Sequence, residues 1–98
     1  MRIVVPVRSA EGKGSVITTL KDAKLFAVLE LGEGMKTEDM EFVENIDNLF
    51  FDYIVTPDKN DELDLAFDLG ARALLAMPGM DIEQIVEAMM FRELDEIV

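Results

Sequence analysis

The sequence predicts a single α/β domain on a five-stranded mixed sheet, an antiparallel meander joined to a parallel βαβ unit. Three observations lead there. Residues 50–90 alternate between strand-like and helix-like patterns, the first three of them closed by proline or glycine. Residues 3–7 are a near-continuous run of apolar strand formers, as expected of a strand covered on both faces. Two alternating runs flank Gly32-Glu33-Gly34, where glycine permits a hairpin turn. With 98 residues, the chain can build one core but not two.

In chain order, the first strand is Ile3-Val4-Val5-Pro6-Val7. Pro6 cannot donate to a ladder and belongs near the strand's end or at a bulge. Residues 8–15, with Ser9, Gly12, Gly14 and Ser15, read as a polar loop. Residues 15–22 fit neither the helical nor the strand period. Residues 23–31 form the second strand, Leu25, Ala27, Leu29 and Leu31 alternating with Lys24, Phe26, Val28 and Glu30. Residues 37–43 return as the third, with Met40 and Phe42 on one face and Asp39, Glu41 and Val43 on the other.

Residues 50–56 combine aromatic and β-branched side chains and stop at Pro57, which predicts the fourth strand. A helix follows over 61–69, closed by Gly70, with Asp61, Glu62 and Asp64 in its first turn, where the helix dipole favours acid. The fifth strand is 72–77, ended by Pro78-Gly79. The last helix covers 81–91. Asp81 is its N-cap with Gln84 three residues on, Met80 and Ile85 can staple, and Ile82, Ile85, Val86, Met89 and Met90 make an apolar stripe.

The composition excludes several function classes. There is no cysteine, histidine or tryptophan, which removes the commonest general base and the favoured soft metal ligands. A net charge of −12 repels phosphate backbones, so neither nucleic acid nor an anionic membrane is an expected partner. Five of the nine basic residues fall between Arg2 and Lys24, leaving the C-terminal half acidic and able to steer a basic partner. No apolar run approaches the roughly 18 residues of a membrane span. The N-terminus lacks the apolar core and cleavage site of a secretory signal, so a cytoplasmic location is expected.

Motif by motif, chemistry finds little support. Gly12-Lys13-Gly14-Ser15 lacks the glycine spacing of a phosphate loop. A calcium loop starting at Asp58 would need glycine where Leu63 stands and glutamate where Leu69 stands. The seven methionines are scattered over apolar faces, where filling core gaps is their ordinary role. The serines lack a nucleophile-elbow context. No catalytic residue and no metal ligand is predicted, and an enzyme is the least favoured class.

Met1-Arg2-Ile3-Val4-Val5-Pro6-Val7, the 23–31 strand, Phe42-Val43-Glu44-Asn45, Asp52-Tyr53-Ile54-Val55, the Leu69-Gly70-Ala71 turn and the closing helix together resemble the dinitrogenase iron-molybdenum cofactor biosynthesis family. These are small domains with a ribonuclease H-like fold, and this chain looks like a shortened, divergent member. The resemblance implies a non-catalytic carrier of iron-sulfur or iron-molybdenum cofactor precursors. A metal-cluster ligand would then sit near the loop after the first strand and the 56–60 turn, at Ser15, Thr18, Thr19, Lys21, Thr56, Asp58 and Asn60. The alternative is a protein-interaction or regulatory domain that has lost this site. In the family, a serine after the first strand is usually followed by His-Phe-Gly-Arg-Ala. Here Ser15 is followed by Thr19-Leu20-Lys21-Asp22-Ala23, which shares only the alanine.

The third connection is also short. In the ribonuclease H-like fold a helix joins strands three and four across two intervening strands, but only residues 44–49 are available here. Crossing three spacings of about 4.8 Å while returning along about 17 Å of strand needs roughly 22 Å, which six or seven extended residues at about 3.3 Å barely reach. No helix fits. Part of one sheet face is therefore expected to lie bare at Phe26, Val28, Phe42 or their neighbours, unless Leu49 and Phe50 fold over it. A bare apolar face predicts a homodimer or a protein partner.

Overall fold

In the computed structural model, which describes residues 1–97, the chain folds as β1 (Arg2–Val7), β2 (Leu25–Leu31), β3 (Thr37–Val43), β4 (Tyr53–Thr56), α1 (Asp64–Asp68), β5 (Arg72–Leu75), α2 (Ile82–Met90) and β6 (Asp95–Ile97). The sheet order is β3-β2-β1-β4-β5-β6. β1, β4 and β5 run parallel; β2 is antiparallel to β1 and β3, and β6 is antiparallel to β5. Meander and βαβ unit are both present, in one mixed sheet.

The predicted sheet has five strands and the described residues make six. β6 pairs Ala73 with Ile97, Leu74 with Glu96 and Leu75 with Asp95. Its entry turn carries no glycine: Arg92 takes φ +55°, while Arg92 N–H donates to Met89 O and Glu93 N–H to Ala88 O. At the end of α1 the same turn uses Gly70, φ +84°, with Ala71 N–H donating to Ala66 O.

α1 is shorter than predicted, beginning at Asp64 rather than Asp61. Only Asp64 of the three acidic residues lies in its first turn. The predicted cap of α2 is present: Asp81 Oδ1 accepts from Gln84 N at 2.8 Å and Gln84 Oε1 accepts from Asp81 N at 3.0 Å, a complete capping box, while Met90 of the predicted apolar stripe lies exposed.

The core has two layers. Ile3, Val5, Leu29 and Val55 pack against Ile82 and Ile85 of α2. On the other face Val4, Val28 and Ile54 pack against Ala66 of α1 and against Ile46 and Phe51. The link from β3 to β4, residues 44–52, contains no helix, but it does not leave the sheet bare. Ile46 is 2% exposed and Phe51 7%, and Leu49 packs beside them. Phe50, one of the two residues expected to cover this face, is instead 79% exposed. Val28 is buried, Phe26 is half-buried in the same layer, and Phe42 packs half-buried on the α2 side. Successive right-handed crossovers in one direction share a face, which puts this extended link beside α1.

Candidate functional site

From the end of β1 the chain turns toward β2, and from the end of β4 it turns toward β5, so the two parallel strands part at their C-terminal ends. In open α/β sheets ligands bind in the crevice that such a fork creates. Pro6 opens it. The β1–β4 ladder registers only Ile3 with Tyr53 and Val4 with Ile54. Two residues on, Pro6 has no N–H to offer on that side, and its carbonyl accepts from Thr18 N at 2.9 Å.

The fork is filled by the chain's own loop. Asp61 Oδ2 accepts from Leu20 N at 2.8 Å and from Thr56 Oγ1 at 2.7 Å. The hydroxyl of Thr56, a wholly buried residue, in turn accepts from Asp58 N at 3.2 Å. Asp58 Oδ1 accepts from Asn60 N at 2.9 Å, and Asp58 O accepts from Asp61 N at 3.1 Å. One carboxylate thus ties the segment after β1 to the turn after β4. Among the described residues, no buried side-chain nitrogen or oxygen lacks a partner.

The predicted site residues divide accordingly. Thr18, Thr56, Asp58 and Asn60 meet in this fork or its rim, with Asp58 and Asn60 exposed. Thr19 Oγ1 accepts from Asp22 N at 3.2 Å and shapes the neighbouring turn. Lys21 makes none of the fork's hydrogen bonds and lines a neighbouring surface cavity of about 430 Å³ with Leu20, Phe26, Ile46 and Glu62. Ser15 belongs elsewhere. It is buried at the foot of α2, where its carbonyl accepts from Ile82 N, while its hydroxyl accepts from Glu11 N and donates to Gly12 O. The anticipated helix N-terminus is also absent from the 56–60 turn, because α1 starts three residues later than predicted.

Asp61 was absent from the predicted set and is the hub of the arrangement. A signal for it exists: Pro57, Asp58 and Asn60 are turn formers that bring Asp61 back onto Thr56. Chemically the fork offers hydroxyl, carboxylate and amide groups already bonded to one another. Among the described residues, no three His, Cys, Asp or Glu side chains gather to hold a metal.

No protein-family model matches the chain, and no curated protein matches it. Solved structures do. PH0822 superposes with a TM-score of 0.78 at 16% identity, covering 98% of this chain and 96% of its own. A Thermotoga protein described as a candidate NifB of the DUF35 family gives 0.77 at 13%, covering 97% and 91%. A candidate dinitrogenase from Methanocaldococcus jannaschii gives 0.73 at 13%, covering 99% and 94%. These likenesses establish a shared fold over nearly the whole chain.

Proposed function

We propose that this chain is a non-catalytic, protein-binding domain with a nitrogenase-related role, acting in the cytoplasm without a metal cluster of its own. The names of two fold neighbours support the nitrogenase connection. The observed order β3-β2-β1-β4, with a link crossing from β3 to β4, supports reading the fold as ribonuclease H-like with its crossover helix missing. For location, the support is that no helix of the described residues is long and apolar enough to cross a membrane.

The observation that carries the protein-binding reading is the state of the fork. Thiolate and imidazole are the usual ligands of such clusters, and the chain has no cysteine or histidine. The donors that an anion would use there, the amides of Thr18, Leu20 and Asp58, are engaged by Pro6, Asp61 and Thr56. These residues do not fit a cluster. The test is anaerobic titration with an iron-sulfur or iron-molybdenum cofactor precursor, following absorbance and bound metal after desalting. The expected result is no retained metal. Stoichiometric uptake would make the protein a carrier with unusual ligands and overturn this reading.

A further inference from the structure

Two grooves flank α2, with volumes of about 390 Å³ and 400 Å³. Glu87 lines both, so it stands on the ridge between them. Met90 and Phe91 line the first groove, opposite Lys13; Met77 and Met80 line the second. Met77 is 71% exposed, Phe91 63% and Met90 48%. Exposed apolar side chains rimmed by charge mark interaction surfaces, and methionine adapts its shape to what it meets.

Apart from Lys13, which lines the first groove, the charge on this surface is acidic. Glu83 and Glu87 stand one turn apart, a like-charge spacing that disfavours a helix, and α2 has no lysine or arginine. Among the described residues neither glutamate takes part in an ion pair. The resulting surface is apolar and acidic, on a chain whose net charge is −12.

We propose that this face of α2 docks a basic amphipathic helix of a partner protein, with apolar side chains in the two grooves and a lysine or arginine on Glu87. The inference rests on the protein-binding reading above. Strand addition is unavailable because the backbone groups along α2 are bonded within the helix. A helix is about 10–12 Å across, and residues i and i+7 of another lie about 10.5 Å apart. A helix laid across α2 therefore sets those two residues in the grooves and i+3 or i+4 over the ridge. A second copy of this chain is disfavoured, because two acidic faces would meet.

The probe is a synthetic helical peptide of about 18 residues. It carries leucines seven apart and lysines three and four positions after each, and is titrated into ¹⁵N-labelled protein. Amide shift changes are expected at Met77, Met80 and over residues 83–91. Glu87→Lys should weaken binding at least tenfold. Glu38→Lys, an equal charge change at exposed Glu38 of β3, should weaken it less than threefold. The amide spectrum of each variant reports its fold. Four outcomes would overturn the proposal: shifts centred elsewhere, equal weakening by both substitutions, equal binding of a scrambled peptide, or concentration-dependent shifts at α2 without peptide, which would assign the face to self-association. A peptide that misses α2 while no cluster is taken up removes this surface but leaves the protein-binding role; cluster uptake removes the role.

Discussion

Asp61 shows how one side chain joins segments 41 residues apart. Its Oδ2 takes hydrogen bonds from Leu20 N and Thr56 Oγ1, and hydrogen bonds to a charged acceptor contribute about 1.5–3 kcal/mol each. Asp61→Ala would leave the buried Thr56 hydroxyl and the Leu20 amide without that acceptor, and should lower unfolding stability by about 3 kcal/mol. Asp61→Asn keeps a carbonyl oxygen that can face both donors, so it should cost on the order of 1 kcal/mol. Denaturant midpoints of the two variants check the order. Equal losses would mean that the side chain's bulk, not its acceptor, holds the fork. The sequence reads Asp61 as a first-turn residue of a helix over 61–69, whereas the helix begins at Asp64 and Asp61 lies in the turn before it. Its true partner, Leu20, lies in the segment whose apolar residues fit no period.

At the scale of elements, legibility followed the strength of local signals. β1 and β4 are dense runs of β-branched residues, and α2 declares itself through the Asp81/Gln84 box. β6 was illegible because it is three residues long, carries Asp95 and Glu96, and follows a turn in which Arg92 does what Gly70 does after α1. Acidic residues on an edge strand deter unwanted pairing, so the features that hid β6 suit its position. The helix-free link was legible from its length alone. Which aromatic of Phe50-Phe51 points inward was not, since alternation permits either. Ile46 seals that link against Val28 and Ile54. Ile46→Ala should therefore cost about 2–4 kcal/mol, seen as a lower urea midpoint with unchanged slope. Ile46→Asp should go further and lift the link, recreating the bare face the sequence suggests; ultracentrifugation would then show mass rising with concentration. A monomeric, fully stable Ile46→Asp protein would mean that Leu49 and Phe51 hold the cover without it.

For the whole molecule the strongest influence outside the core is charge. Twenty-one acidic residues face nine basic ones on a body with a radius of gyration of 11.8 Å. At about 0.01 M salt the Debye length is about 30 Å, so each charge feels the rest of the molecule; at 1 M it is about 3 Å. Self-repulsion of this kind destabilises the compact state. The opposing effect is small: the ion pairs Arg2–Glu30, Arg8–Asp22 and Arg72–Glu96 are all substantially exposed, and such pairs contribute about 0–1 kcal/mol each before screening. Repulsion should win. Raising sodium chloride from about 0.01 M to 1 M should stabilise the fold by about 1 kcal/mol, raising Tm by about 4–8 °C. The double variant Glu83→Lys/Glu87→Lys moves the net charge from −12 by four units toward zero and should show a visibly smaller rise. If both proteins respond alike, the salt effect comes from general solvation of apolar surface. A diminished response in the variant would show that the salt effect is the screening of the molecule's net negative charge, which a basic partner would also relieve.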